Sequence, residues 1–99
     1  MPAPKMVDVF SVFVARAYAR GDIPFEDADT IMNAIFDVAV STRFWAEHDR
    51  VVPPHMMEVY QAFDAGEYFH PGDEPDVNPE SKYTKPLIAD FLARQARDA

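Results

Sequence analysis

The stretch from Pro24 to Val40, PFEDADTIMNAIFDVAV, decides the fold. Its apolar residues Phe25, Ala28, Ile31, Met32, Ile35, Phe36 and Ala39 recur at steps of three and four, the spacing that gathers side chains into one stripe of a helix. Pro24 suits a first helical position, where its missing N–H would be unpaired anyway. Glu26, Asp27 and Asp29 crowd the first turns, where the helix dipole favours negative charge. Ser41 and Thr42 could stop this helix, or it could run on through Phe44 and Trp45 to about His48. Continuation is the preferred reading.

The same periodicity extends outward on both sides. Residues 5–20 place Met6, Val9, Phe10, Phe13, Val14, Ala17 and Tyr18 on one face, with Arg16 and Arg20 in the last turn and Gly21 as a C-terminal cap. Pro53 and Pro54 close a connector from Asp49, and a third helix is expected from about Pro54 to Phe69, with Met56, Met57, Tyr60, Phe63 and Phe69 on its apolar side. Gly66 weakens that helix and could end it early. His70 to Glu80 holds three prolines, a glycine and four acids, and reads as a surface loop. A last helix is expected over 81–97, capped by Ser81 or Thr84, with Pro86 in its first turn and Leu87, Ile88, Phe91 and Leu92 as its seam. No strand-like alternation and no internal repeat is present. The expectation is one all-α domain over residues 1–99, an antiparallel four-helix bundle.

Composition narrows the function. The 99 residues are 48% hydrophobic and 26% charged, ordinary for a globular domain. There are no cysteines, which excludes disulfides, thiolate metal sites and a catalytic cysteine. Neither a secretory leader nor an apolar run long enough to span a membrane is visible, so a cytoplasmic location is expected. The net charge of −8 makes a nucleic-acid-binding surface or an anionic bilayer an unfavourable partner. That charge is unevenly spread. Residues 1–20 and 81–99 are each mildly basic, whereas 21–42 and 51–80 contain acids and no lysine or arginine. A concentrated negative face speeds encounter with a basic partner, typically by 10–1000-fold at low salt. A solvated surface that merely keeps the domain soluble is the equally simple alternative.

Catalytic and metal chemistry find little support. His48, His55 and His70 lack a second histidine at helical spacing, and the loop after His70 lacks the alternating pattern of a calcium-binding loop, so no metal and no cofactor is expected. Glu26 and Asp27 diverge around a helix, and Asp73 and Glu74 lie in a loop, so neither pair offers the fixed geometry of an acid–base couple. Ser11, Ser41 and Ser81 lack nucleophile-elbow glycines. The chain is therefore not expected to be an enzyme. Phe44, Trp45, Tyr60, Phe63, Tyr68, Phe69 and Tyr83 belong to the acidic half. Trp45, Tyr68 and Tyr83 carry the polar handles enriched at binding hot spots.

Three pieces carry a resemblance to small acidic bacterial immunity proteins of the colicin D type. The first is Ala19-Arg20-Gly21-Asp22-Ile23 with Phe25 opening the next helix. The second is Val59-Tyr60-Gln61-Ala62-Phe63 leading to Tyr68-Phe69 and an acidic loop through Asp76. The third is the closing helix with Leu87, Ile88, Phe91 and Leu92. The stretch from Ser41 to Pro54 departs from that pattern. The resemblance implies a helical inhibitor that covers the active site of a basic toxin nuclease, its acidic side chains standing in for RNA phosphates. Charge and loop position, rather than a matched motif, select Glu67, Tyr68, Asp73, Glu74 and Asp76 as the partner-binding residues. The alternative is a homo-oligomeric structural domain, a homodimer for instance, since a small bundle with too wide an apolar face pairs with its own copy.

Overall fold

A computed structural model of the chain describes residues 3–41 and 53–98. Among them are four α-helices and no strands: α1 (Ala3–Ala19), α2 (Phe25–Ala39), α3 (Pro54–Ala65) and α4 (Lys85–Asp98), the last preceded by one wide π-helical turn (Glu80–Thr84). The fold is an all-α bundle organised around α3, which packs on α1, α2, the π turn and α4. The expected run of the second helix through Phe44 and Trp45 to His48 lies outside the described residues.

The core is a contiguous apolar cluster drawn from every helix. It contains Val14, Ala15, Tyr18, Ala28, Met32, Met56, Val59, Ala62, Phe63, Ile88 and Phe91. Phe63 is its centre. The Tyr18 ring meets Phe63 edge-on with centroids 5.0 Å apart, and Phe25 completes a triangle with them, 6.0 Å from Phe63 and 6.5 Å from Tyr18. Edge-to-face arrangements of this kind add about 0.5–1.5 kcal/mol beyond the area they bury.

Several ends are set as the sequence suggests. Gly21, at φ 80°, follows α1 in the left-handed conformation. The Asp22 and Gly21 N–H groups donate to the carbonyls of Ala17 (2.9 Å) and Tyr18 (3.0 Å), the paired bonds that close a helix C-terminus. Pro24 sits one residue before the first turn of α2 rather than within it. The start of α3 is secured from a distance: Asp8 of α1 accepts the Met56 N–H at 2.9 Å, satisfying one of the donors a helix start leaves unpaired.

Three expectations are corrected. Met6, Val9, Phe10 and Phe13 are not core residues; they stand on the outside of α1, while Ser11, Val14, Ala15 and Tyr18 face inward. Ser11 tolerates that position because its hydroxyl donates to the Val7 carbonyl at 2.8 Å. The third helix stops at Ala65, so Phe69 lies outside it and is exposed. The last helix is capped by neither Ser81 nor Thr84. The Asn78 side chain accepts the Ser81 N–H at 3.2 Å, with Pro79 between them. Thr84 is instead wholly buried, its hydroxyl donating to the Ala62 carbonyl at 2.7 Å.

The π turn has a local cause. Pro86 has no N–H to offer the carbonyl four residues back, and its ring crowds that carbonyl. The preceding turn is wound wider, and the Lys85 N–H reaches back five residues to Glu80.

Candidate functional site

The acids of the middle of the chain are treated in two ways by the fold. Some are neutralised internally. Arg20 pairs with Asp22, and Arg94 of α4 holds both Asp90 and Glu58 of α3. Glu80 accepts the Tyr18 hydroxyl at 2.5 Å. Four more, Asp29, Asp37, Asp64 and Glu67, converge on the seam between α2 and α3.

That seam is built by helical spacing. Asp29 and Asp37 lie eight residues apart along one edge of α2, Asp64 follows Tyr60 by four positions on α3, and Glu67 lies in the turn just beyond that helix, its N–H donating to the Asp64 carbonyl at 3.1 Å. Tyr60 stacks flat on Phe36 of α2, with centroids 4.0 Å apart and planes 8° from parallel. The stack fixes the two helix edges side by side. The Asp29 and Glu67 carboxyl groups then share a hydrogen bond, and Asp29 is pushed up to about 7, first by burial, then by the Glu67 bond and charge, then by Asp64. The Tyr60 hydroxyl is raised too, by burial first and then by Asp64, Glu67, Asp37 and Asp29. No lysine or arginine pairs with any of these four acids among the described residues.

Glu67 joins this seam to the loop that follows. Of the five partner-binding residues chosen from the sequence, Glu67, Tyr68, Glu74 and Asp76 are exposed, and Phe69 stands exposed beside Tyr68. Asp73 differs from the others. Its side chain is 2% exposed, and it accepts hydrogen bonds from Lys82 Nζ (2.5 Å), the Tyr83 hydroxyl (2.7 Å) and the His70 N–H (2.9 Å). These donors, Lys82 foremost, hold its carboxyl well below the usual carboxylate range. Asp73 therefore organises the loop from within. His70 is likewise structural. It is sandwiched between the Tyr68 and Tyr83 rings, 4.9 and 4.0 Å away, and its Nε2 donates to the Ala65 carbonyl at 2.8 Å. The effect is a pinned loop that presents Tyr68, Phe69, Glu74 and Asp76 outward.

The residues selected from the sequence are those of the loop; Asp29, Asp37, Tyr60 and Asp64 of the seam are not among them. The signal was the helical spacing of acids along the border of each apolar stripe, which becomes a site only when α2 and α3 are known to be neighbours.

The chemistry available here is that of charge and contact. A 550 Å³ cleft lined by Tyr18, Arg20, Phe25, Glu80 and Lys85, and a 440 Å³ groove between α1, His55 and Gln95, both lie away from Asp29, Asp64 and Glu67. No three metal-ligating side chains gather among the described residues. None of the described helices is long and apolar enough to cross a membrane. No protein-family model, curated protein or solved structure matches the chain, so its function rests on this geometry alone.

Proposed function

We propose that the chain is a non-enzymatic binding module whose acidic seam and adjoining loop dock onto a basic protein. The fullest form of the proposal is an immunity protein that covers the cationic cleft of a nuclease toxin. The observation that supports it is the gathering of Asp29, Asp37, Asp64 and Glu67 around Tyr60 without a lysine or arginine partner among the described residues. Like charges held this close cost stability, and a cationic partner relieves that cost. Exposed Tyr68 and Phe69 supply the aromatic contacts that hold a partner once charge has steered it in.

Calorimetric titration against the catalytic domain of a colicin D-type nuclease, at low and at high salt, tests the proposal. Affinity should fall steeply as salt rises, and Asp64→Asn with Glu67→Gln should weaken it by about tenfold or more. Absence of binding, or an affinity indifferent to salt, would count against it.

A further inference from the structure

The acidic seam leaves one large surface feature unused. On the outer side of α1, Met6, Val9, Phe10 and Phe13 are about half or more in water, Phe13 reaching 63% exposure. They surround a shallow apolar cup of about 240 Å³. A second hollow of about 250 Å³ is lined by Val7 of α1 with Ala34, Ile35 and exposed Val38 of α2. The spacing of Met6, Phe10 and Phe13 is four then three, the seam of a helix that packs against another helix. Nothing else in the described residues exposes large apolar side chains at this density.

We propose that this face of α1 is a homodimer interface, in which α1 packs against α1 of a second copy across a two-fold axis near Phe10. Area supports that occupant. Half-exposed, the four α1 side chains offer roughly 500 Å², at the upper end of what a typical monomer leaves bare. A standard half-interface of about 800 Å² that is about 65% apolar requires roughly that amount. Charge points the same way. Two copies of a chain at −8 repel each other. The first 20 residues are net basic, Lys5, Arg16 and Arg20 against Asp8, and Asp8 is engaged by the Met56 N–H. Pairing there keeps both acidic seams outward. Lys5 and Arg16 at the edge of the face give a residual like-charge approach, so added salt should tighten the dimer. That is the opposite of its effect on docking at the acidic seam, and the two proposals therefore fail separately.

Sedimentation equilibrium of the full chain between micromolar and near-millimolar concentration tests the inference, with circular dichroism to confirm that each variant keeps its helices. The wild type should be dimeric, more so at high salt, and Phe10→Glu or Phe13→Glu should raise the dissociation constant by about tenfold or more. Should either variant fail to fold, cross-linking replaces it, made simple by the absence of native cysteine. Val9→Cys should form an intermolecular disulfide on mild oxidation, and Gln61→Cys on the exposed side of α3 should not. A monomer at every concentration overturns the inference. So does a dimer indifferent to both glutamate variants, or cross-linking through Gln61→Cys in preference to Val9→Cys.

Discussion

The Asp29 carboxyl of α2 lies against the Glu67 carboxyl just beyond the end of α3, and burial, then the hydrogen bond and charge between the two, raise Asp29 to about 7. Folding raises Asp29 from 3.8 to about 7, so the folded state binds the proton more tightly. Stability contributed by that proton is present at low pH and is lost as pH rises through the window from 3.8 to about 7. Thermal melts at about pH 5 and pH 8 should differ by about 1 kcal/mol on this account, after allowance for solvent screening. Asp29→Asn should flatten the difference. Asp73 acts in the opposite sense: its lowered carboxyl contributes stability that disappears only as pH falls below the ordinary aspartate range.

The same bond predicts a proton signature for docking. A cationic group seated between Asp29 and Glu67 favours the ionised form and expels the shared proton. Calorimetry of complex formation in buffers of different ionisation heat should therefore report release of up to one proton between pH 6 and 7, absent in Asp29→Asn.

Two glycines should fail for opposite reasons when given a methyl group. At Gly66 the backbone is ordinary, but a Cβ would collide with the buried Thr84 hydroxyl and approach Glu80 and Phe25 at 3.2 Å. Gly66→Ala should destabilise by about 2–3 kcal/mol through overpacking and loss of the Thr84–Ala62 bond. At Gly21 space is open and the strain is in φ alone. Gly21→Ala should cost about 1 kcal/mol. Urea denaturation distinguishes them.

Asp73→Asn should loosen the loop without unfolding the bundle. It weakens the contacts from Lys82, Tyr83 and the His70 N–H together. Limited proteolysis should cut within residues 66–80 several-fold faster, while the far-ultraviolet dichroism is unchanged.

Phe63 and Phe13 are chemically identical and should behave as opposites. Phe63→Ala opens the centre of the core and should cost about 3–5 kcal/mol. Phe13→Ala, on the outer side of α1, should change monomer stability by less than about 0.5 kcal/mol.

How far the sequence speaks is plain from α1 and α2. In α2 the apolar stripe is flanked by acids, so periodicity has a single solution, and Ala28 and Met32 are buried as expected. In α1 almost every side of the helix is apolar, and a period of 3.6 cannot choose among several arcs. The arc through Met6, Phe10 and Phe13 looks as suitable as the one through Ser11, Ala15 and Tyr18, and a serine in the core is a poor guess from composition. The loop acids were legible as charge but not as roles. Composition alone does not distinguish Asp73 from Glu74 beside it, since two of its three partners, Lys82 and Tyr83, lie nine and ten residues onward. The Asp29–Glu67 contact depends on which helices are neighbours, information that no single segment contains.

The wide turn over Glu80–Thr84 has an evolutionary corollary. It accommodates one residue more than a regular helix of the same rise, so loss of a single residue there would let the backbone relax to ordinary pitch while Ile88 and Phe91 kept their orientation toward Phe63. Sister sequences should accordingly tolerate a one-residue deletion at this point of the chain more readily than anywhere within α3.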